Sequence, residues 1–161
     1  MNIKDLLTSQ LGAGLWLFEN GLADFSDQDA RFQACAGSPH AIWMLMHLAS
    51  SEDAMVQGVT GGPAIIPNEI RTRFKSGSIP DPNDPISKDA ALGYFRSVRE
   101  RTLKALAEFA PADFDKPAPP GVPPMFRTAG ETWGLVATHP FWHYGQLSVN
   151  RRMLGKRPIL G

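Results

Sequence analysis

The stretch "SPHAIWMLMHLASSEDAMVQG", residues 38–58, is the segment that most restricts what this chain can fold into. It is apolar over most of its helical circumference, and a helix without a polar side must be covered on nearly every side. Only surrounding secondary structure can do that, so the rest of the chain has to wrap it. Ser38 is placed as an N-cap, Pro39 as the first helical residue and Gly58 as the stop.

Three other segments carry the helical period. In the first, Ile3, Leu6, Leu7, Leu11, Leu15 and Phe18 recur at spacings of three and four, ending at Gly21. A later one, "SKDAALGYFRSVRERTLKALAEFA", has Ser87 as cap and a stripe of Leu92, Phe95, Val98, Thr102, Leu106 and Phe109. The last runs from about Ala129 to Met153 and ends at Gly155. Residues 22–37 read as a polar connection with a short helical turn. Residues 59–86 are rich in Gly and Pro, with a short helix expected at "PNEIRTRFKSG". The segment "PADFDKPAPPGVPPMFRT" contains too much proline to be helical. No stretch alternates like a strand, and no internal repeat is evident. The expectation is one all-α domain over 1–161, a four-helix bundle with a long crossover between its second and third helices.

With 161 residues the chain is long enough for one sizeable core. Its 16 basic residues balance its 16 acidic ones. A neutral chain has no long-range field for a polyanion, which argues against nucleic acid as a partner. The cluster Arg151, Arg152, Lys156 and Arg157 instead complements the negative end of the last helix. A single cysteine, Cys35, allows no intrachain disulfide and suits a reducing compartment. The N-terminal apolar run is far shorter than the roughly 20 residues of a membrane span and lacks a signal-peptide pattern. A cytoplasmic protein without membrane attachment is expected.

The last helix has a stripe whose spacing belongs to a core but whose middle is polar: Thr132, Val136, His139, His143, Gln146, Asn150 and Met153. The 38–58 helix has a similar one in His40, Trp43, His47, Ser51 and Ala54. Each unpartnered buried polar group costs about 1–3 kcal/mol, so facing polar stripes point to a pocket or an ion. Imidazoles at i and i+4 point the same way and can grip one metal ion. His40 and His47 stand about 10 Å apart along a helix, so only one can join them. His47, between Met46 and Leu48, is the candidate; His40, in the first turn, suits an exposed or capping role. The expected ligands are His47, His139 and His143.

Two familiar histidine sites are excluded. The pair encloses Pro140, Phe141 and Trp142 instead of the HExxH arrangement, and no glutamate stands three residues before any histidine. A three-histidine site with open positions remains, and imidazoles suit zinc, nickel, copper or ferrous iron. Gln146 and Asn150 are placed to orient a ligand, bound water or substrate, or else simply to form buried hydrogen bonds. Trp43, Phe141, Trp142 and Tyr144 either shape an apolar pocket or pack as core. Cys35 lies outside the pattern and is not a nucleophile candidate. Pro140 removes the helical hydrogen bond to residue 136 and disfavours helical geometry at His139. A kink at 136–140 is therefore expected, with His139 the ligand most open to displacement.

The segments "LADFSDQD", "HAIWMLMHLASSEDAMV" and "HPFWHYGQLSVNRRMLG" resemble the DinB/YfiT-like metal-dependent superfamily. The resemblance rests on the central His47 and on a closing His-x3-His-x-Gly-Gln-Leu pattern, matched by His139, His143, Gly145, Gln146 and Leu147. It implies a four-helix bundle, a homodimer, and one divalent metal, zinc or nickel foremost, on three histidines. It also implies thiol-dependent S-transferase chemistry on a small-molecule substrate with a low-molecular-weight thiol. A non-catalytic bundle, braced by its metal or binding another ligand, is the alternative, and a metal-free histidine cluster is a third reading.

Overall fold

The structure is a computed structural model, and residues 2–160 are described. Four long helices form: α1 (Ile3–Gly21), α2 (Ala41–Thr60), α4 (Lys88–Glu108) and α5 (Ala129–Met153), with a short α3 (Asn68–Arg73) in the crossover. Among the described residues there is no strand; one isolated antiparallel bridge pairs Pro117 with Thr128.

Local chemistry sets most helix ends. Asn2 and Asp5 close a reciprocal capping box on α1, as Thr128 and Glu131 do on α5. Ser87 caps α4 through the amide of Ala90, as its position in the sequence suggests. At α2 the expected cap is displaced by two residues. The Ser38 hydroxyl is taken by the amide of Cys35, and His40 is the cap instead, its Nδ1 accepting the Trp43 N–H at 3.2 Å. His40 is fully buried, and its Nε2 donates to the Asp81 carbonyl at 3.0 Å. The helix also runs past Gly58 to Thr60, where Gly61 takes the left-handed cap conformation at φ +70°. Gly58 serves another purpose: a Cβ there would lie 2.8 Å from the Pro119 ring, so its bareness lets the proline-rich connection lie on α2. That connection begins with a 3-10 turn, Pro111–Asp115, in a segment the sequence reads as non-helical throughout. Proline is tolerated in a first turn, where its missing N–H has no helical partner to lose.

Around the bundle, α1 packs against α4 and α5, and α2 also packs against α4 and α5. The helices α1 and α2 thus stand diagonally opposite. The 22–40 and 109–128 connections make the diagonal steps, whereas the long 61–87 crossover joins neighbours. Every residue from Ala41 to Ser50 is buried, as an all-round apolar helix requires. The α4 stripe from Leu92 to Phe109 is buried throughout. In the α1 stripe Leu7, Leu11 and Phe18 are buried and Leu15 is half-buried, while Ile3 and Leu6 are exposed. In the α5 stripe, Thr132, Val136 and Asn150 are buried, while Gln146 and Met153 are exposed.

Three ionic clusters fix the helices, and the hydrophobic period did not signal them. Arg99 of α4 is fully buried and grips Glu52 of α2 in bidentate fashion, at 3.0 and 2.7 Å, while also bonding the Leu11 carbonyl of α1. Asp53 accepts the amides of Ile65 and Ile66 and pairs with Arg101 at 2.9 Å, tying the crossover to α2 and α4. Arg151 binds Asp24 and the Gly21 carbonyl, closing the C-terminal end of α1.

Pro140 sits inside a continuous helical span, buried against α1. Its ring fills the space a side chain at Gly14 would need: a Cβ on Gly14 would lie 3.0 Å from Pro140 Cβ. Glycine and proline together allow α1 and α5 to approach closely. His139, the ligand most open to displacement, keeps its place beside His143 and His47.

Candidate metal centre

His139 and His143 lie one turn apart on α5, and His47 faces them from the adjacent α2. The three imidazoles form a nearly equilateral group, with ring centroids 5.1 Å apart for His47 and His139, 4.9 Å for His47 and His143, and 4.8 Å for His139 and His143. One ring nitrogen from each lies within 4.8 Å of the others.

Hydrogen bonds fix which nitrogen is available. His47 Nδ1 lies 2.7 Å from the Phe74 carbonyl, which can only accept, so Nδ1 carries the proton and the lone pair is on Nε2. His143 Nδ1 donates to Gln146 Oε1 at 2.7 Å, leaving its Nε2 bare too. That Nε2 stands 3.1 Å from His139 Nε2. That separation suits either a proton donated by His139 Nε2 to His143 Nε2 or a cation held between the two nitrogens. Nitrogens each about 2.0–2.1 Å from one ion, at right-angled or tetrahedral geometry, are themselves about 2.8–3.4 Å apart. The donor set fits a divalent metal, with an outer partner on two of its three rings.

The electrostatics favour the same state. Burial pushes His139 down to about 3, helped by repulsion from His143 and His47. Burial likewise lowers His143 to about 4, aided by His47 and opposed by its bond to Gln146. His47 is lowered by burial, against the opposing bond to Phe74. All three are therefore neutral at pH 7, the form in which imidazole ligates.

The aromatic residues divide. Trp43 lies flat on His47, 4.7 Å between centroids and 6° between planes, and its Nε1 donates to Ser78 Oγ at 3.1 Å. It also meets His143 edge-on. Trp142 contacts His139 edge-on at 5.7 Å and is 57% exposed, so it borders the approach from solvent. Tyr144 is turned elsewhere, packing on Phe18 and over Gly21 of α1. Asn150 directs its amide to the carbonyls of Phe32 and Pro39, at 3.3 and 3.1 Å, and anchors the 22–40 connection. Of the residues expected around the ligands, then, Gln146, Trp43 and Trp142 touch them, whereas Asn150 and Tyr144 stabilise α5 against other parts of the fold. Phe74 and Ser78 gave no sequence signal, since a backbone carbonyl has no side-chain signature and a loop serine is commonplace. His40 reaches the same crossover through Asp81 but stays out of the histidine group.

The fold and this geometry define a class: a helical bundle with a three-histidine centre between two facing helices. The pattern of the DinB superfamily matches residues 16–147, and the chain belongs to that superfamily. Its fold resembles that of a solved structure described as the conserved protein of locus from Enterococcus faecalis. The two superpose with a TM-score of 0.76 at 16% identity, covering 97% of this chain and 99% of that one. No curated protein matches the sequence. Among the described residues, no helix is long and apolar enough to cross a membrane.

Proposed function

We propose that His47, His139 and His143 hold one divalent ion, zinc or nickel, and that the protein is a metal-dependent enzyme of the S-transferase type or a close relative. Its substrates are then a small electrophilic molecule and a low-molecular-weight thiol, or water in the thiol's place. One observation carries this reading: the hydrogen bonds of His47 to Phe74 and of His143 to Gln146 occupy both Nδ1 atoms and turn both Nε2 atoms toward His139, so that three imidazoles converge on one point.

When bound, a divalent ion supplies Lewis acidity that makes a coordinated thiol or water nucleophilic at neutral pH. The chain's residues supply the geometry. Phe74 and Trp43 immobilise the His47 ring, Gln146 sets the rotation of His143, and the indoles of Trp43 and Trp142 limit water at the centre. An all-imidazole set favours borderline ions over magnesium or calcium, which prefer oxygen. The exposed Cys35 thiol suits a cytoplasmic protein. The exposed indoles of Trp16 on α1 and Trp142 on α5 support pairing with a second copy.

Metal analysis of the purified protein, followed by incubation of the loaded form with electrophiles and cellular thiols, tests the reading. One equivalent of zinc or nickel and metal-dependent thiol consumption are expected. No metal after reconstitution would overturn the site, whereas metal without turnover on any pair would leave a metal-braced bundle. Solution mass should be that of two chains.

A further inference from the structure

A second cavity, of about 280 Å³, opens between α2 and α3. Ser50 and Ser51 line it, and they lie three and four residues after His47 on the same helix, about 5–6 Å along its axis. On the opposite side stand Arg71, Lys75 and Ser76, which flank in sequence the Phe74 whose carbonyl holds His47. The cavity is therefore contiguous in the chain with the histidine centre on both walls.

Its chemistry is one-sided. Two cations and several hydroxyls line it, and no carboxylate does. Arg71 bonds Gln57 Oε1 at 3.0 Å and lies 3.8 Å from Asp53 Oδ2. The Asp53 charge is already met by Arg101 at 2.9 Å, so these three groups together keep one positive charge, to which Lys75 adds another. The Ser50 hydroxyl is the second observation. The residue is only 4% exposed, yet its Oγ has no hydrogen-bond partner. A buried donor left without an acceptor is unfavourable, and one that lines a cationic cavity is supplied with its acceptor when an anion enters.

We infer that Ser50, Ser51, Arg71, Lys75 and Ser76 form an oxyanion subsite that binds a carboxylate or phosphate group of the small molecule reacting at the histidine centre. The subsite's role as substrate anchor rests on the proposed metal reading; its capacity to bind an anion does not.

The test is a titration of the whole protein, metal-free and metal-loaded, with succinate and separately with inorganic phosphate. Ionic strength is matched with chloride, and amide chemical shifts are followed by NMR. Saturable shifts at Ser50, Ser51 and Ser76 are expected, and the tighter of the two anions identifies carboxylate or phosphate as the group. Arg71→Gln and Lys75→Gln should each weaken binding about tenfold. Ser50→Ala should weaken it severalfold with no fall in Tm, because it removes a hydroxyl that is unsatisfied in the free protein. No saturable shift with either anion, shifts reproduced by chloride, or affinities untouched by both charge substitutions would overturn the subsite. Metal content measured on the same samples keeps the two readings apart: protein that binds the anion but takes up no metal retains the subsite and loses the metal centre. Protein that takes up metal and binds neither anion does the reverse.

Discussion

His47 donates its Nδ1 proton to the carbonyl of Phe74 at 2.7 Å, across 27 residues of chain. The bond makes the crossover the back wall of the histidine centre. Trp43 and His40 are held by the same segment, through Ser78 and Asp81. Three side chains on one face of α2 are thus fixed by one loop, and the lone pair of His47 is aimed at α5 before any ligand arrives.

Removal of a ligand should be more severe than removal of its support. His47→Ala and His143→Ala should each abolish stoichiometric metal binding in a chelator-competition titration. Gln146→Ala leaves all three imidazoles but frees the His143 ring, and affinity should fall by about 10–100-fold. Equal losses for Gln146→Ala and His143→Ala would show that Gln146 does more than orient the ring.

Acid should weaken the metal-free fold through the same histidines. Their folded pKa values, about 3 for His139 and about 4 for His143, lie below the unfolded value near 6.5. The unfolded chain therefore binds more protons across that interval, and stability falls as pH drops from about 6.5 toward 4. Urea midpoints measured at several pH values should show this decline. His139→Gln/His143→Gln should flatten it, and loaded protein should release its metal over the same range.

The Arg99–Glu52 pair is buried and bidentate, so truncating one partner strands the other's charge. Glu52→Ala should cost about 3–5 kcal/mol in denaturant unfolding. The double change Glu52→Leu/Arg99→Met should recover much of that loss. If the single and double variants are equally unstable, the Leu11 carbonyl bonded by Arg99 carries more of the stability than the ion pair.

Two glycines of α1 should respond in opposite directions to alanine. Gly12 faces open space, and Gly12→Ala should stabilise by about 0.5–1 kcal/mol through helix propensity. At Gly14 the new methyl meets the buried, rigid Pro140 ring at 3.0 Å, and overpacking of about 1–3 kcal/mol should outweigh that gain. Thermal melts of both variants, and of Gly14→Ala/Pro140→Ala, check the contact; the double variant should regain part of the loss.

The sequence by itself determined the helices and the ligand candidates, because both follow from short-range periodicity. The 3.6-residue repeat in α4 marks its buried face, the apolar surround of α2 marks its central place, and i, i+4 spacing aligns His139 with His143. Spacing also kept His40 out of the centre. Tertiary structure decided what depends on contact between distant segments. Arg99 reads as one more surface cation until Glu52 and Leu11 close around it. Asn150 and Gln146 share a stripe, yet one reaches the 22–40 connection and the other His143, since period alone does not say which neighbour each face meets. Pro140 is the sharpest case. Local geometry predicts a kink at 136–140 and leaves His139 open to displacement, but Gly14 leaves room for the proline ring against α1, and the imidazole stays beside His143 and His47.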